Sequence, residues 1–176
     1  MIIRPVGIDG AAEIDLQRRG DARGFFARTF CADTFAAHGL PTGFVQANMS
    51  WSERAGTLRG LHFQRAPDEE DKLIRCVRGA VFDVVADLRP ESPTYLKWVG
   101  IELAAENRKQ VLIPKGCAHG FQTLMDDTEV AYMVSAPYAP QSESGVRWDD
   151  PALAISWPLP PTELSDKDRS WPFLNV

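Results

Sequence analysis

The chain has 176 residues, 44% hydrophobic and 24% charged, the mix of an ordinary globular protein with room for one sizeable core. Its 19 Lys and Arg against 24 Asp and Glu leave a formal charge of −5. That excludes a broadly basic nucleic-acid binder, because neutralising phosphates needs a basic surface, but not a local basic cluster for one small anion. No stretch approaches the roughly 20 apolar residues that span a bilayer. Met1–Gly10 carries Arg4, Pro5 and Asp9 in place of the apolar run of a signal peptide. Cys31, Cys76 and Cys117 are odd in number, fit no zinc spacing and read as reduced thiols. The expectation is a cytoplasmic protein whose residues 1–176 form one domain, with no nucleic-acid or membrane partner.

Ala32–His38 reads as a short helix closed by Gly39. His38, just before that glycine, reads as a helix-end residue. Leu73–Val77 and Val81–Leu88 flank Arg78-Gly79 and together predict a hairpin. In the second run Phe82, Val84, Ala86 and Leu88 alternate with Val81, Asp83, Val85 and Asp87. Further strands are expected over Thr94–Leu103, Gln110–Ile113, Phe121–Leu124 and Glu129–Ser135. From Asp149 onward, Pro151, Pro158, Pro160, Pro161 and Pro172 imply an irregular wrap over the outside. Many short strands and little helix predict an all-β sandwich or barrel. No repeat is visible.

Two of the three histidines lie in glycine-bounded segments, His62 in Leu58-Arg59-Gly60-Leu61-His62-Phe63-Gln64 and His119 in Pro114-Lys115-Gly116-Cys117-Ala118-His119. The second segment resembles a motif of the cupin jelly-roll barrels, many of which bind a metal. The His-x-His pair that supplies their other ligands is missing, since His62 is followed by Phe63 and Gln64. Two histidines alone make a poor transition-metal site, so no metal is expected.

Other residues must then carry charge chemistry. Strand alternation puts Tyr132 on one face with Val130 and Val134. It is either an isolated phenol in a cavity wall or a core tyrosine bonded to backbone. Lys72 follows Asp68-Glu69-Glu70-Asp71 and by itself reads as a surface lysine paired with those acids. Asp168, in Ser165-x-x-Asp168, has the spacing of a helix N-terminal cap. Arg23 and Arg59 alone read as surface charges, and Gln46 and Asn48 as turn residues.

In combination the segments Gly24-Phe25-Phe26, Arg59-Gly60-Leu61-His62-Phe63-Gln64, Lys72-Leu73-Ile74-Arg75, Val81-Phe82-Asp83-Val84, Ser92-Pro93-Thr94, Ile113-Pro114-x-Gly116, Ala118-His119-Gly120-Phe121 and Leu164-Ser165-x-Lys167-Asp168 resemble the dTDP-4-dehydrorhamnose 3,5-epimerase family. The resemblance runs in order from about Arg4 to Asp168. It implies a jelly-roll, cupin-like β-barrel with short peripheral helices, a homodimer, and a nucleoside-diphosphate 4-keto-6-deoxysugar as substrate, with no cofactor. It implies His62 as base, Tyr132 as the opposing acid, Lys72 beside the enolate oxygen and Asp168 as the group that orients His62. It further implies that Arg23, Gln46, Asn48, Arg59, His119, Glu143 and Lys167 bind the diphosphate, sugar or base, and that Tyr138 stacks on the base.

Two points stand against a simple transfer. Strand alternation puts Arg59 opposite His62, so Gly60 would have to re-aim it through a bulge or bend. The family's Arg-Gly-x-Phe-x-Glu pattern reads here Arg23-Gly24-Phe25-Phe26-Ala27-Arg28. A donor-only guanidinium at Arg28 replaces a carboxylate able to accept from thymine N3–H, so a cytidine nucleotide becomes an alternative. Single-carbon epimerisation at C3 or C5, a metal-dependent cupin oxygenase and a non-catalytic sugar binder are the other readings. The missing His-x-His disfavours the oxygenase, and the complete set of His62, Lys72 and Tyr132 disfavours the binder.

Overall fold

The apolar runs fold as strands in a computed structural model that describes residues 1–176. In chain order these are β1 (Ile2–Pro5), β2 (Ala12–Asp15), β3 (Arg19–Asp21), β4 (Gly24–Phe26), β5 (Gln46–Ser52), β6 (Leu58–Gln64), β7 (Lys72–Arg78), β8 (Ala80–Asp87), β9 (Trp98–Ala104), β10 (Lys109–Ile113), β11 (Cys117–Thr123), β12 (Thr128–Val134) and β13 (Glu143–Gly145). Two short helices, α1 (Ala32–Ala37) and α2 (Asp166–Ser170), complete the set. Neither helix is long and apolar enough to cross a membrane. The helix predicted before Gly39 is α1. His38 caps it, its Nδ1 2.8 Å from the Thr34 carbonyl, and Gly39 ends it at φ 68°, a conformation glycine adopts without steric cost.

Six strands form one antiparallel sheet in the order β1-β2-β10-β7-β12-β5, five form a second in the order β13-β6-β11-β8-β9, and β3 pairs with β4 alone. The two large sheets stack. Ile74, Val111 and Val130 from the first meet Val81, Val85 and Phe121 from the second in one buried cluster. The outer face of the first sheet is covered by Phe35 of α1, which packs on Ile14, Leu73 and Leu112. Full burial of that ring contributes about 2–3 kcal/mol. The proline-rich tail covers the outer face of the second sheet, setting Leu153, Ile155 and Trp157 over Val84 and Ala86.

The structure corrects two expectations. The sheets keep separate edges, β1 and β5 in one, β13 and β9 in the other, so the stack is not closed into a barrel. An apolar alternation along strands is common to sandwiches and barrels and does not distinguish them. The runs predicted to form a hairpin do not pair: β7 hydrogen-bonds β10 and β12, while β8 hydrogen-bonds β9 and β11. Gly79, at φ 72°, turns the chain from one sheet into the other. A Cβ there would lie 2.3 Å from Thr128 Oγ1, so the corner is packed for glycine. Local sequence marks the turn, but pairing is set by what each strand meets across the core.

Candidate active site

The two sheets leave an open cleft between them, a cavity of about 460 Å³. Strand β6 enters it with Arg59 and His62, β7 with Lys72, β11 with His119 and β12 with Tyr132. A second cavity of about 330 Å³ shares His62, Lys72 and Tyr132 as its wall and adds Gln46, Asn48, Tyr138 and Glu143. Residues scattered from position 46 to 168 therefore line two adjoining cavities.

His62 is tied to a buried carboxylate. Its Nε2 lies 2.5 Å from Asp168 Oδ1, with the carboxylate side chain 5% exposed and the imidazole 33%. Asp168 also accepts from the Gly60 N–H at 3.2 Å. Burial by itself would push the Asp168 carboxyl up, but hydrogen bonding from His62 and its charge, with the Gly60 N–H and the Ser165 hydroxyl, outweigh it and hold the group below the usual carboxylate range. Both readings of Asp168 are present in one residue. Ser165 caps α2 by accepting from the Asp168 N–H at 3.1 Å, and the Asp168 carboxylate is thereby free to point at His62. In the neutral tautomer that gives Nε2–H to Asp168, His62 Nδ1 carries a lone pair.

Tyr132 and Lys72 form the opposite wall. Tyr132 is half-buried with its hydroxyl raised above the ordinary phenol range, chiefly by burial, then by the Glu70 carboxylate, against a lowering by Arg59. It is thus held as O–H, a proton donor. Lys72 is buried, not the surface lysine that its sequence context suggests alone, although it does pair with an acid of the preceding run. Its Nζ lies 3.2 Å from Glu70 Oε1 and donates to the His62 carbonyl at 3.5 Å.

Arg59 reaches the same cavity as His62 despite their opposite parity. The β6–β11 register slips between His119 and Phe121. Gly60 and Gly120 pack so closely there that a Cβ on Gly60 would lie 2.5 Å from Gly120 Cα. The irregularity turns Arg59, which donates to the Trp51 carbonyl at 3.0 Å and to Ser52 Oγ at 3.3 Å. His119 stands opposite His62 in the ladder and is held by Asp83 at 2.8 Å.

In the second cavity Tyr138 donates from its hydroxyl to Glu143 at 2.9 Å and from its N–H to Gln46 at 2.9 Å. Its ring is exposed and open to stacking. Lys167 pairs with Glu143. No three His, Cys, Asp or Glu side chains come together as a metal-binding group.

Two of the expected binding residues are not brought here by the fold of one chain. Arg23 sits at the tip of the β3–β4 pair, bonded to Asp21 and almost fully exposed. Arg28 lines a different cavity, with Arg19, Cys31 and Thr34. The cause is that β3 and β4 pair only with each other and join neither large sheet.

Four further groups escape sequence reasoning. Asp83 fixes His119, and its position on the Val81–Val85 face is a usable signal. Gln64 donates to the Asp68 and Pro137 carbonyls and accepts from the Ala139 N–H, which holds the Tyr138 loop. Trp171 packs edge-on to His62 with ring centres 6.2 Å apart and fills the space over Gly145. Glu70 stands out in the sequence only as one acid in a run.

Residues 5–175 match the family described as dTDP-4-dehydrorhamnose 3,5-epimerase. A protein of that name from Sinorhizobium fredii is 49% identical over 167 residues, covering 93% of this chain and 86% of the relative. A dTDP-4-dehydrorhamnose 3-epimerase from Streptomyces niveus is 45% identical over 170 residues, 96% of this chain and 82% of the relative. The crystal structure of a dTDP-6-deoxy-D-glucose-3,5-epimerase from Legionella pneumophila, solved with dTDP-4-keto-L-rhamnose, superimposes with a TM-score of 0.93 at 42% identity, covering 99% of this chain and 93% of that one. With a match over nearly its whole length, and with His62, Lys72, Tyr132 and Asp168 around one cleft, this chain belongs to the dTDP-4-dehydrorhamnose 3,5-epimerase family.

Proposed function

We propose that this chain epimerises a nucleoside-diphosphate 4-keto-6-deoxysugar, by default inverting C3 and C5 of dTDP-4-dehydro-6-deoxy-D-glucose to give dTDP-4-dehydro-L-rhamnose. The hydrogens on C3 and C5 are both α to the C4 carbonyl, so each can leave as a proton while its electron pair moves onto O4. His62 Nδ1 takes that proton, and Asp168 supports the imidazolium that results. Lys72 faces the developing negative charge on O4. Tyr132 returns a proton to the opposite face of the carbon, the electrons flow back from O4, and the centre is inverted. His62 and Tyr132 then exchange protons with solvent for the next turnover. The observation that carries this reading is the His62–Asp168 pair facing Tyr132 and Lys72 across one cleft.

Arg59, His119 and Lys167 supply donors for a diphosphate, and charge-assisted bonds of that kind let an acidic protein hold an anion. Tyr138, with Gln46, Asn48 and Glu143 around it, suits a stacked nucleobase. Inversion at C3 alone is the second reading, favoured by the Streptomyces niveus relative, a 3-epimerase at similar identity.

The sheet orders support a finer fold assignment. Taken from β5 to β12, successive strands give one sheet ordered β5-β12-β7-β10 and a second ordered β6-β11-β8-β9, the connectivity of an eight-stranded jelly roll. That both sheets share one core cluster supports a single domain. A homodimer is supported by β5. It is a seven-residue edge strand, paired only with β12, and it exposes Met49 and Trp51. An edge strand with one side unpaired and exposed apolar side chains invites a second chain. A second copy is also the route by which Arg23 and Arg28 would reach a cleft.

The test is a proton NMR assay in deuterium oxide with the dTDP-4-keto sugar, scoring C3 and C5 separately. Exchange at both carbons is expected. Exchange at C3 alone selects the second reading, and exchange at neither overturns the proposal.

A further inference from the structure

The loop before β7 places a group in the cleft wall that the proposed reaction leaves unused. Glu70 lines the second cavity beside His62, Lys72 and Tyr132. Its Oε1 is 3.2 Å from Lys72 Nζ, and the two side chains are 11% and 10% exposed. A buried ammonium without a partner is costly, and lysine's flexible four-carbon stem does not aim it. The other contact of Nζ, with the His62 carbonyl at 3.5 Å, is long for a hydrogen bond. Within the chain, then, the direction of the ammonium is set mainly by Glu70.

We propose that Glu70 is a positioning residue for the epimerase reaction: its carboxylate holds the Lys72 ammonium in the cavity wall that Lys72 shares with His62 and Tyr132. The inference rests on the epimerase reading and deepens it. A cation tethered at that point meets the enolate oxygen without reorganising when charge develops there. The charged groups around Tyr132 are Lys72 on β7, Arg59 and His62 on β6, His119 on β11, Glu143 on β13, Glu163, Lys167 and Asp168 in the C-terminal segment, and Glu70 itself. Of these, Glu70 raises the phenol and Arg59 lowers it, beneath the larger effect of burial. Removing the Glu70 charge should therefore let the phenol ionise at lower pH.

The experiment compares wild type, Glu70→Ala and Glu70→Gln in deuterium oxide with the dTDP-4-keto sugar, reading exchange and inversion across pH and checking folding by thermal melting. Wild-type exchange comes first, and its absence overturns the epimerase reading and this inference with it. Given wild-type exchange, Glu70→Ala should lower kcat by about tenfold or more, the usual scale for a displaced catalytic group, with KM nearly unchanged. Glu70→Gln keeps an acceptor for Lys72 and should recover most of that loss. In both variants the alkaline limb of inversion should move to lower pH. Wild-type kcat in Glu70→Ala, an unmoved alkaline limb in both variants, or a loss confined to KM overturns the role of Glu70 while leaving the epimerase reading intact. If Glu70→Ala does not fold, Glu70→Asp, whose shorter side chain draws the carboxylate back from Lys72, takes its place: a lowered kcat is expected, and wild-type kcat overturns the role of Glu70.

Discussion

His62 and Tyr132 face the same cleft from different sheets, and the proposed chemistry gives them separable effects. His62→Ala removes the base, so deuterium uptake at every carbon processed should fall on the order of 10²–10⁴-fold, with the melting temperature close to wild type. Tyr132→Phe removes one hydroxyl and leaves the base in place. Exchange from the His62 side should persist while inversion falls, which NMR of the same sample resolves. Equal loss of both would count against Tyr132 as a separate acid. Asp168 supplies a pH signature. Its carboxyl sits lower in the folded chain than its ordinary value, so ionisation of Asp168 stabilises the fold above that ordinary value, and the contribution disappears as pH falls through the folded pKa. Thermal melts taken from about pH 6 down to about pH 3, the range in which carboxylates titrate, should decline more steeply for wild type than for Asp168→Asn.

Among the elements, α2 is the smallest helix and one of the most consequential. Five residues with no long apolar face cannot hold themselves as a helix. Its start is fixed by the Ser165 hydroxyl and its position by Asp168 reaching Gly60 and His62. Ser165→Ala should cost about 1 kcal/mol of stability, as loss of an N-cap does, and should lower kcat by loosening Asp168. Calorimetry and the exchange assay read the two effects independently. The β6–β11 irregularity is the other such element. At Gly60, φ is 127° and a Cβ would meet the backbone of Gly120 and the His119 carbonyl within 3 Å. Gly60→Ala must therefore move backbone. It should disturb Arg59, His62 and His119 together, weakening nucleotide binding as well as catalysis, with a stability cost of about 2 kcal/mol or more.

At the scale of the whole molecule, the exposed β5 edge predicts assembly. Light scattering should give the mass of a dimer, and Met49→Lys, which places a charge on that edge, should shift the protein towards monomer. Much of the molecule is legible in its residues. Period-2 alternation in β8 and β12 and the glycine after α1 are local consequences of side-chain direction and backbone sterics, so strands, the helix and the face of Tyr132 can be read along the chain. The family resemblance rests on short segments in a fixed order and names His62, Lys72, Tyr132 and Asp168 as one set. What local pattern does not carry is which strand lies beside which. β7 and β8 read as a hairpin yet lie in different sheets, because pairing follows from burying both faces of each strand. The same is true of Arg59, turned into the cleft by a register slip that two glycines permit, and of Glu70, whose pairing with Lys72 the acidic run suggests but whose burial in the cleft wall it does not. The separation of Arg23 and Arg28 from the cleft likewise follows from β3 and β4 pairing apart from both sheets. Sequence by itself determined the kinds of element and the chemical groups available, since those depend on neighbours along the chain. Tertiary structure decided which groups meet, since that depends on contacts between residues as far apart as His62 and Asp168.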